Sequence, residues 1–446
     1  MTADNLSAEI MPAQIMTVEG MAAHALRKAA PRLAAFMGVL FLLSFIDRAN
    51  VSFAALSMNK ELGFTPTTYA WGVGFFFFGY VLFEVPSNMI VERIGARRWI
   101  APMVIAWGLA SMLLALSRDA LQFYALRFLL GMAEAGLLPG LLLYMTYWFP
   151  AAWRGRIAAA ITLAVPLSLV IGGPVSGLIL GLSFFDGLAG LKSWQWMFVI
   201  EGIPAIVAGL LAYRLMPDRP RDARWLTIEE AKALQAALDE EACTQSPHLH
   251  GSDLIHGLLS PPVLLLGLAY FCAVLGGFGI IFWVPQIVKA FGLSTIETGF
   301  VASIPYAVAA LVMGALAWFG DRTGRRILFT ALPMLAGALG LAIAGLSGSP
   351  ALSIAARSLA ASGIYGMMPA FWTLPPAYLR GSAMAAGIAM INSIGALGGF
   401  VGPYVVGWVK ETTGAFGPGL LALAAGSAMA AILIGLLARI FPRPGI

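Results

Sequence analysis

Asp47 and Arg48 stand side by side within an apolar stretch running from Leu33 to Leu56, and Arg127 and Glu134 stand seven residues apart within another. A charge at bilayer depth costs several kcal/mol, so such residues are candidates for function. Arginine stays protonated when buried and offers a planar fork that matches a carboxylate, which suits Arg48 and Arg127 to anion capture. On a helix, Asp47 and Arg48 lie about 100° apart, so one points at a bound solute and the other at a neighbouring helix. Arg127 and Glu134, almost two turns apart, share a face. Burial favours the neutral acid and a nearby guanidinium favours the carboxylate. Asp47 and Glu134 are therefore expected to bind protons and to exchange them as an anion takes over the arginines. The bland reading is that they only neutralise Arg48 and Arg127 and hold helices together. Four such charges imply passage of an ion or a charged solute through a membrane.

The elements that carry these charges are membrane spans. Hydrophobic residues make up 60% of the 446 and charged residues 11%, against about 25% charged in soluble domains. Mean hydropathy is +0.85. A span needs roughly 20 apolar residues, and twelve such stretches are centred near residues 43, 79, 108, 133, 168, 205, 275, 308, 337, 362, 395 and 429. The expected fold is all-α: twelve transmembrane helices in two pseudo-symmetric six-helix bundles around a central cavity. The pI of 9.3 is no sign of nucleic acid. With the N-terminus inside, nineteen of the 27 Lys and Arg fall in the tails, the central loop and alternate turns, and only Lys60, Arg118, Lys192, Lys289 and Lys410 on the other side. That asymmetry places both termini in the cytoplasm, as an even number of spans requires. Two cysteines, Cys243 and Cys272, imply no disulfide framework. The first thirty residues have no signal-peptide core, and Met11, Met16 and Met21 are alternative starts to Met1.

The chain divides into a cytoplasmic tail (1–32), a first bundle (33–215), a cytoplasmic linker (216–258), a second bundle (259–440) and a short tail (441–446). In the linker, Thr227 and Glu230 form a capping box, so a short amphipathic helix is expected to lie at the surface and act as a solvated connection. The bundles repeat each other. Glu92-Arg93-Ile94-Gly95-Ala96-Arg97-Arg98 answers Asp321-Arg322-Thr323-Gly324-Arg325-Arg326 at an offset of 229, and Arg127 answers Arg357 at 230. Pro150, Arg154, Gly155, Gly172 and Gly173 recur as Pro376, Arg380, Gly381, Gly398 and Gly399. Duplicated halves are typical of transporters that rock around a midplane site.

The acidic-Arg-x-Gly turns after spans 2 and 8 resemble the signature loop of the major facilitator superfamily. The segments 45–50, 79–88, 127–136 and 398–403, with Asp218-Arg219-Pro220-Arg221-Asp222-Ala223 in the linker, resemble its anion:cation symporter family of bacterial organic-acid transporters. The resemblance covers about residues 32–440. It implies a bacterial inner-membrane protein, expected to be monomeric, that imports a tartrate-, sugar-acid- or phthalate-like carboxylate with protons by alternating access. It also implies substrate contacts for Arg48 and Arg127 and a cavity position for Tyr80. Glu92, Arg93, Gly95, Arg97, Asp321, Arg322, Gly324 and Arg325 would form the cytoplasmic gate. Many relatives have Asn in place of Ala396, and Gly-Asn-Tyr-Gly in place of Gly276-Gly277-Phe278-Gly279. The particular acid, the stoichiometry and the choice between H+ and Na+ stay open at this level.

Asn392, polar at depth, is a candidate to bond a substrate hydroxyl. Glu84 is assigned to a gate network, Glu201 to an interhelical hydrogen bond, and Arg357 either to the far end of a substrate or to backbone carbonyls. Tyr270, Trp283, Tyr365 and Trp372 could line the pocket, although aromatics in such chains are more often packing or interface anchors, and they are not included in the site. Gly173-Pro174-Val175-Ser176-Gly177 resembles an element of proton-driven exporters and supports an antiporter as the alternative. No enzyme class fits. His24, His248, His250 and His256 lie outside the spans, no Gly-x4-Gly-Lys-Ser/Thr loop or Gly-x-Ser-x-Gly elbow is present, and no cofactor or metal is expected.

Overall fold

The computed structural model describes residues 18–245, 258–379 and 382–442. Arg380 and Gly381 of the proposed repeat, His248, His250, His256 and the starts Met1, Met11 and Met16 lie outside them. Among the described residues the regular elements are all helices, with no strand. The first half comprises α1 (Val18–Glu61), α2 (Pro66–Ile94), α3 (Ala96–Leu113), α4 (Ala120–Glu134), α5 (Leu137–Thr146), α6 (Ala151–Thr162), α7 (Ala164–Gly181) and α8 (Ser193–Leu215). The linker helix is α9 (Ile228–Gln245). The second half comprises α10 (Pro261–Ile281), α11 (Val284–Lys289), α12 (Thr295–Thr323), α13 (Arg326–Leu346), α14 (Pro350–Gly366), α15 (Met368–Phe371), α16 (Pro375–Tyr378), α17 (Ser382–Thr413) and α18 (Gly417–Ile440).

Eleven described segments are long and apolar enough to cross a membrane, with α4–α5 and α6–α7 each counting as one. The remaining expected span, near residue 362, is broken. α14 has 17 residues and stops at Gly366, just before Met367-Met368-Pro369. A proline lacks the amide that would continue the ladder, so the segment resumes as the short α15 and α16. Local signals set the starts. Thr65 caps α2 by accepting from the Thr68 amide, with Pro66 at the first position, and Ser294 and Glu297 form a capping box on α12.

Lipid gives helices little hydrophobic reason to associate, so close backbone approach matters. A methyl at Gly131 of α4 would fall 1.9 Å from the Phe76 carbonyl oxygen of α2, and one at Gly79 would fall 2.2 Å from that of Phe128. This crossing sets α4, and with it Arg127 and Glu134, against α2. The halves meet at the face opposite the termini. There Gly173 and Gly177 of α7 pack on Gly299 of α12, and the Thr67 amide of α2 donates to Glu411 of α17 at 2.8 Å.

Two expectations about the polar segments change. Residues 18–32 are not a separate tail; they are the first turns of α1, whose 44 residues span about 66 Å, roughly twice the hydrocarbon thickness. The linker is not merely solvated. Leu234 and Leu238 of α9 are buried, and Glu230 accepts from Lys28 Nζ and pairs with His24 Nδ1, each at 2.7 Å. The preceding strap is pinned to the first half as well. The Pro217 carbonyl accepts from Tyr144 Oη at 2.8 Å and Trp148 Nε1 at 3.0 Å, and Asp218 binds the Arg97 amide at 3.1 Å. Glu241 accepts from the Ala151 amide and pairs with Arg154.

Burial by itself would push the Glu230 carboxyl up. Hydrogen bonds from Lys28, the Thr227 amide and His24 outweigh it and hold the carboxyl down at about 2, against 4.5 for an ordinary glutamate. A depressed folded-state value means its contribution is complete above about pH 4.5 and fades as the pH falls toward 2. Glu230→Ala is therefore expected to reduce amide-exchange protection in α9 by roughly tenfold at pH 7 and by much less near pH 2. Equal effects at both values would show that Glu230 does not act through its charge.

Candidate functional site

Between the halves lies a chamber lined by Phe41, Ser44, Phe45 and Arg48 of α1, Phe77 and Tyr80 of α2, Glu134 of α4, Tyr270, Val274 and Phe278 of α10, Tyr365 of α14, Trp372, and Asn392 and Ala396 of α17. The wall is mostly apolar and aromatic. Its charges are Arg48 and Glu134, which meet at 2.7 Å between Arg48 Nη2 and Glu134 Oε2. The Arg48 guanidinium lies over three rings, 4.6 Å from the centroid of Phe45, 4.9 Å from Phe76 and 5.4 Å from Tyr80. Those faces hold the fork in one orientation and partly offset its lost hydration. Arg48 Nε and Glu134 Oε1 keep unused hydrogen-bonding capacity.

Asp47 and Arg48 diverge as their 100° separation requires. Asp47 turns away from the chamber into α3 and accepts from Trp107 Nε1 at 3.0 Å and Ser111 Oγ at 2.9 Å. Arg127 shares the buried face of α4 with Glu134 but does not line the chamber. It is fully buried, 4.9 Å beneath the Phe76 ring, and none of its three guanidinium nitrogens has a hydrogen-bond partner. The expectation that both arginines face the cavity is thus corrected in this conformation: Arg48 does, and Phe76 shields Arg127. Periodicity along one helix could not foresee a ring contributed by another.

Tyr80 and Asn392 both reach the chamber wall. Asn392 Nδ2 donates to Glu84 Oε1 at 2.5 Å, a bond from α17 to α2 that joins the two halves. Glu84, expected in the gate, is thus engaged beside the chamber. Glu201 accepts from Ser176 Oγ at 2.6 Å, linking α7 and α8. Of the gate residues, Arg97 pairs with Asp218 at 3.3 Å, which ties the turn to the linker. Gly95 and Gly324 adopt positive φ, +93° and +67°, where a side chain would be strained. Arg322 stacks on Trp318 at 3.8 Å, and Arg93, Asp321 and Arg325 are exposed. The Glu92 side chain is outside the described set. No ion pair joins the two gate turns among the described residues.

Of the aromatics that could line the pocket but are left out of the expected site, Tyr270, Tyr365 and Trp372 do line the chamber. Tyr270 stacks on Phe371 at 5.1 Å and meets Trp372 edge-on at 5.1 Å. The available signal was the helix break at 366–369, because irregular backbone at membrane depth is tolerated where it borders a cavity. Trp283, by contrast, is a packing residue that donates to the Pro403 carbonyl.

Two mirrored helical halves around a chamber with one ion pair on its wall define a membrane transporter. Residues 37–403 match the model of the Major Facilitator Superfamily, and the chain belongs to that family. It is 44% identical over 94% of its length, and 93% of the other's, to an Agrobacterium vitis protein provisionally named a tartrate transporter. It is 40% identical over 86% of its length, and 87% of the other's, to a quinolone resistance transporter of Acinetobacter baumannii. The partially occluded inward-open structure of the xylose transporter XylE from E. coli superposes with a TM-score of 0.73 at 16% identity, covering 93% of this chain and 98% of that one. It is a transporter and not an enzyme.

The Glu84–Asn392 bond can be tested as a pair. Asn392→Leu removes one donor from a buried carboxyl group and is expected to lower stability in detergent by about 1–3 kcal/mol. Glu84→Gln should recover part of that loss in a double-mutant cycle. Additive effects on the melting temperature would show that the contact carries no coupling.

Proposed function

We propose that the protein imports a small organic carboxylate together with protons, as an anion:cation symporter of the plasma membrane with both termini in the cytoplasm. The observation that carries this is the Arg48–Glu134 pair on the chamber wall. An incoming carboxylate competes with Glu134 for the guanidinium. Once displaced, Glu134 is a buried acid without its cation, and a proton takes the cation's place. Asp47, held by Trp107 and Ser111 on the far side of α1, serves as the second proton-binding group. Substrate and proton are thereby linked through one arginine. With the termini inside, the contacts of α7 with α12 and of α2 with α17 close the outer face, and the chamber belongs to an inward-facing state. Arg97 and its turn act in the cytoplasmic gate through the linker, and the transport unit is a monomer.

The tartrate relative supports a hydroxy-dicarboxylate as the substrate class. Ala396 and Phe278 both line the chamber, at positions where the resemblance leads one to expect more polar residues, so the acid need not be tartrate. The aromatic wall fits an apolar or aromatic portion of the solute, with Tyr80 and Asn392 offering hydrogen bonds. The quinolone relative favours a second reading, proton-driven export. The element 173–177 adds little to it, because Gly173 and Gly177 are used for close approach to α12.

In proteoliposomes with an imposed inward proton gradient, Asp47→Asn and Glu134→Gln are expected to abolish uphill accumulation of a carboxylate while retaining exchange across equal pH. Uphill accumulation in both variants would remove the coupling scheme. Symport further requires that the compartment from which substrate leaves becomes alkaline, whereas export by antiport acidifies it. With two protons per cycle, a divalent acid moves without net charge, although one charge in a field of 100 mV is worth about 2.3 kcal/mol. Uptake of a dicarboxylate is therefore expected to survive collapse of the membrane potential at constant pH gradient, and a loss of more than about half would exclude that stoichiometry.

A further inference from the structure

Arg357 lies on α14 with 2% of its surface exposed. It donates to Ser353 on its own helix, while its Nε has no partner. Its described surroundings are neutral, and no acid stands at depth in the spans of the second half. A cation buried in this way carries a large desolvation cost with no carboxylate among the described residues to offset it. The tyrosine nearest in electrostatic terms is Tyr306 of α12, whose ring meets that of Tyr365 at 6.2 Å. Tyr365 borders the chamber, and neither tyrosine hydroxyl has a hydrogen-bond partner. Arg357, Tyr306 and Tyr365 thus form a run of unused donors leading from the chamber toward the face opposite the termini, where the halves are closed here. A guanidinium and two phenol hydroxyls, each able to donate and with no carboxylate among them, suit an anion. The first half repeats the layout: Phe76 corresponds to Tyr306 and Arg127 to Arg357 at the same offset of 230, but Glu134 gives Arg127 a nearby acid that Arg357 lacks.

We propose that Arg357, Tyr306 and Tyr365 form an anion subsite for the carboxylate of the transported acid, occupied when the chamber is open to the outer face. This rests on the reading of the protein as a carboxylate transporter. In the outward-open state the solute meets Arg357 before it reaches Arg48. In the inward-facing state Arg357 and Tyr306 are buried and do not line the chamber, only Tyr365 doing so, so a solute arriving from the cytoplasm does not reach the arginine. The arginine therefore acts on one side of the membrane only, which a purely structural role would not produce.

The test is uptake of radiolabelled tartrate by right-side-out and by everted membrane vesicles carrying the full-length protein. Arg357→Met, similar in length and apolar, is expected to raise the half-saturation concentration from the outer face at least about tenfold and from the cytoplasmic face less than about twofold. Equal shifts from both faces, or none from either, would overturn the proposal. If that variant is not recovered as folded protein by size-exclusion chromatography, Tyr306→Phe removes a single hydroxyl. A rise of at least about threefold confined to the outer face supports the subsite, and an unchanged or symmetric response rejects it. Wild-type vesicles that move none of tartrate, a sugar acid and phthalate would reject the transport reading and this inference with it. An active wild type with symmetric variants rejects the subsite alone.

Discussion

A permanent positive charge halfway across an oil layer is unstable unless something negative or polarisable is beside it. In this protein that requirement organises the first half. Arg48 is held by one carboxylate and three aromatic faces. Those contacts are enough to keep it in the membrane, yet one of its nitrogens stays unused. Burying an ion pair rarely adds much net stability, because desolvation cancels most of the attraction. Its value is that breaking it is costly, so whatever replaces one partner must bring equivalent charge. In the proposed cycle a solute carboxylate and a proton are those replacements.

The two halves divide the work. Asp47, Arg48, Glu84, Arg127, Glu134 and Glu201 all lie at depth in the first half, and of the in-span charges described in the second only Arg357 does. The second half contributes Tyr270, Phe278, Tyr365, Trp372 and Asn392 to the wall, which suits it to shaping the solute rather than titrating. The Asn392–Glu84 bond crosses between them on the chamber wall. Any movement that separates α17 from α2 there must release it.

The linker joins the first half more firmly than a flexible connection would. Asp218, Glu230 and Glu241 each engage a basic residue or an amide of the first bundle, and the stacked Trp148 and Trp225 rings, 5.5 Å apart, add an apolar seam. The N-terminal turns of α1, the strap and α9 therefore move with the first half. The proposed rocking of the halves would need its freedom nearer the second bundle.

Much of this was legible in the chain itself. Long apolar stretches separated by basic turns can satisfy their backbone in lipid only as helices, so twelve spans followed from composition, and the two mirrored halves followed from the repeated turns. The opposite directions of Asp47 and Arg48, and the shared face of Arg127 and Glu134, followed from helical geometry. What lies between helices was not legible. That Phe76 covers Arg127, that Glu84 reaches Asn392 across 308 positions, and that Tyr270 and Trp372 face the chamber depend on which helices touch and at what rotation. Those choices are made by close glycine contacts such as Gly131 against Phe76 and Gly173 against Gly299. One helix's periodicity carries no information about its neighbour, so the charges announced themselves by their cost while their partners were chosen only by packing.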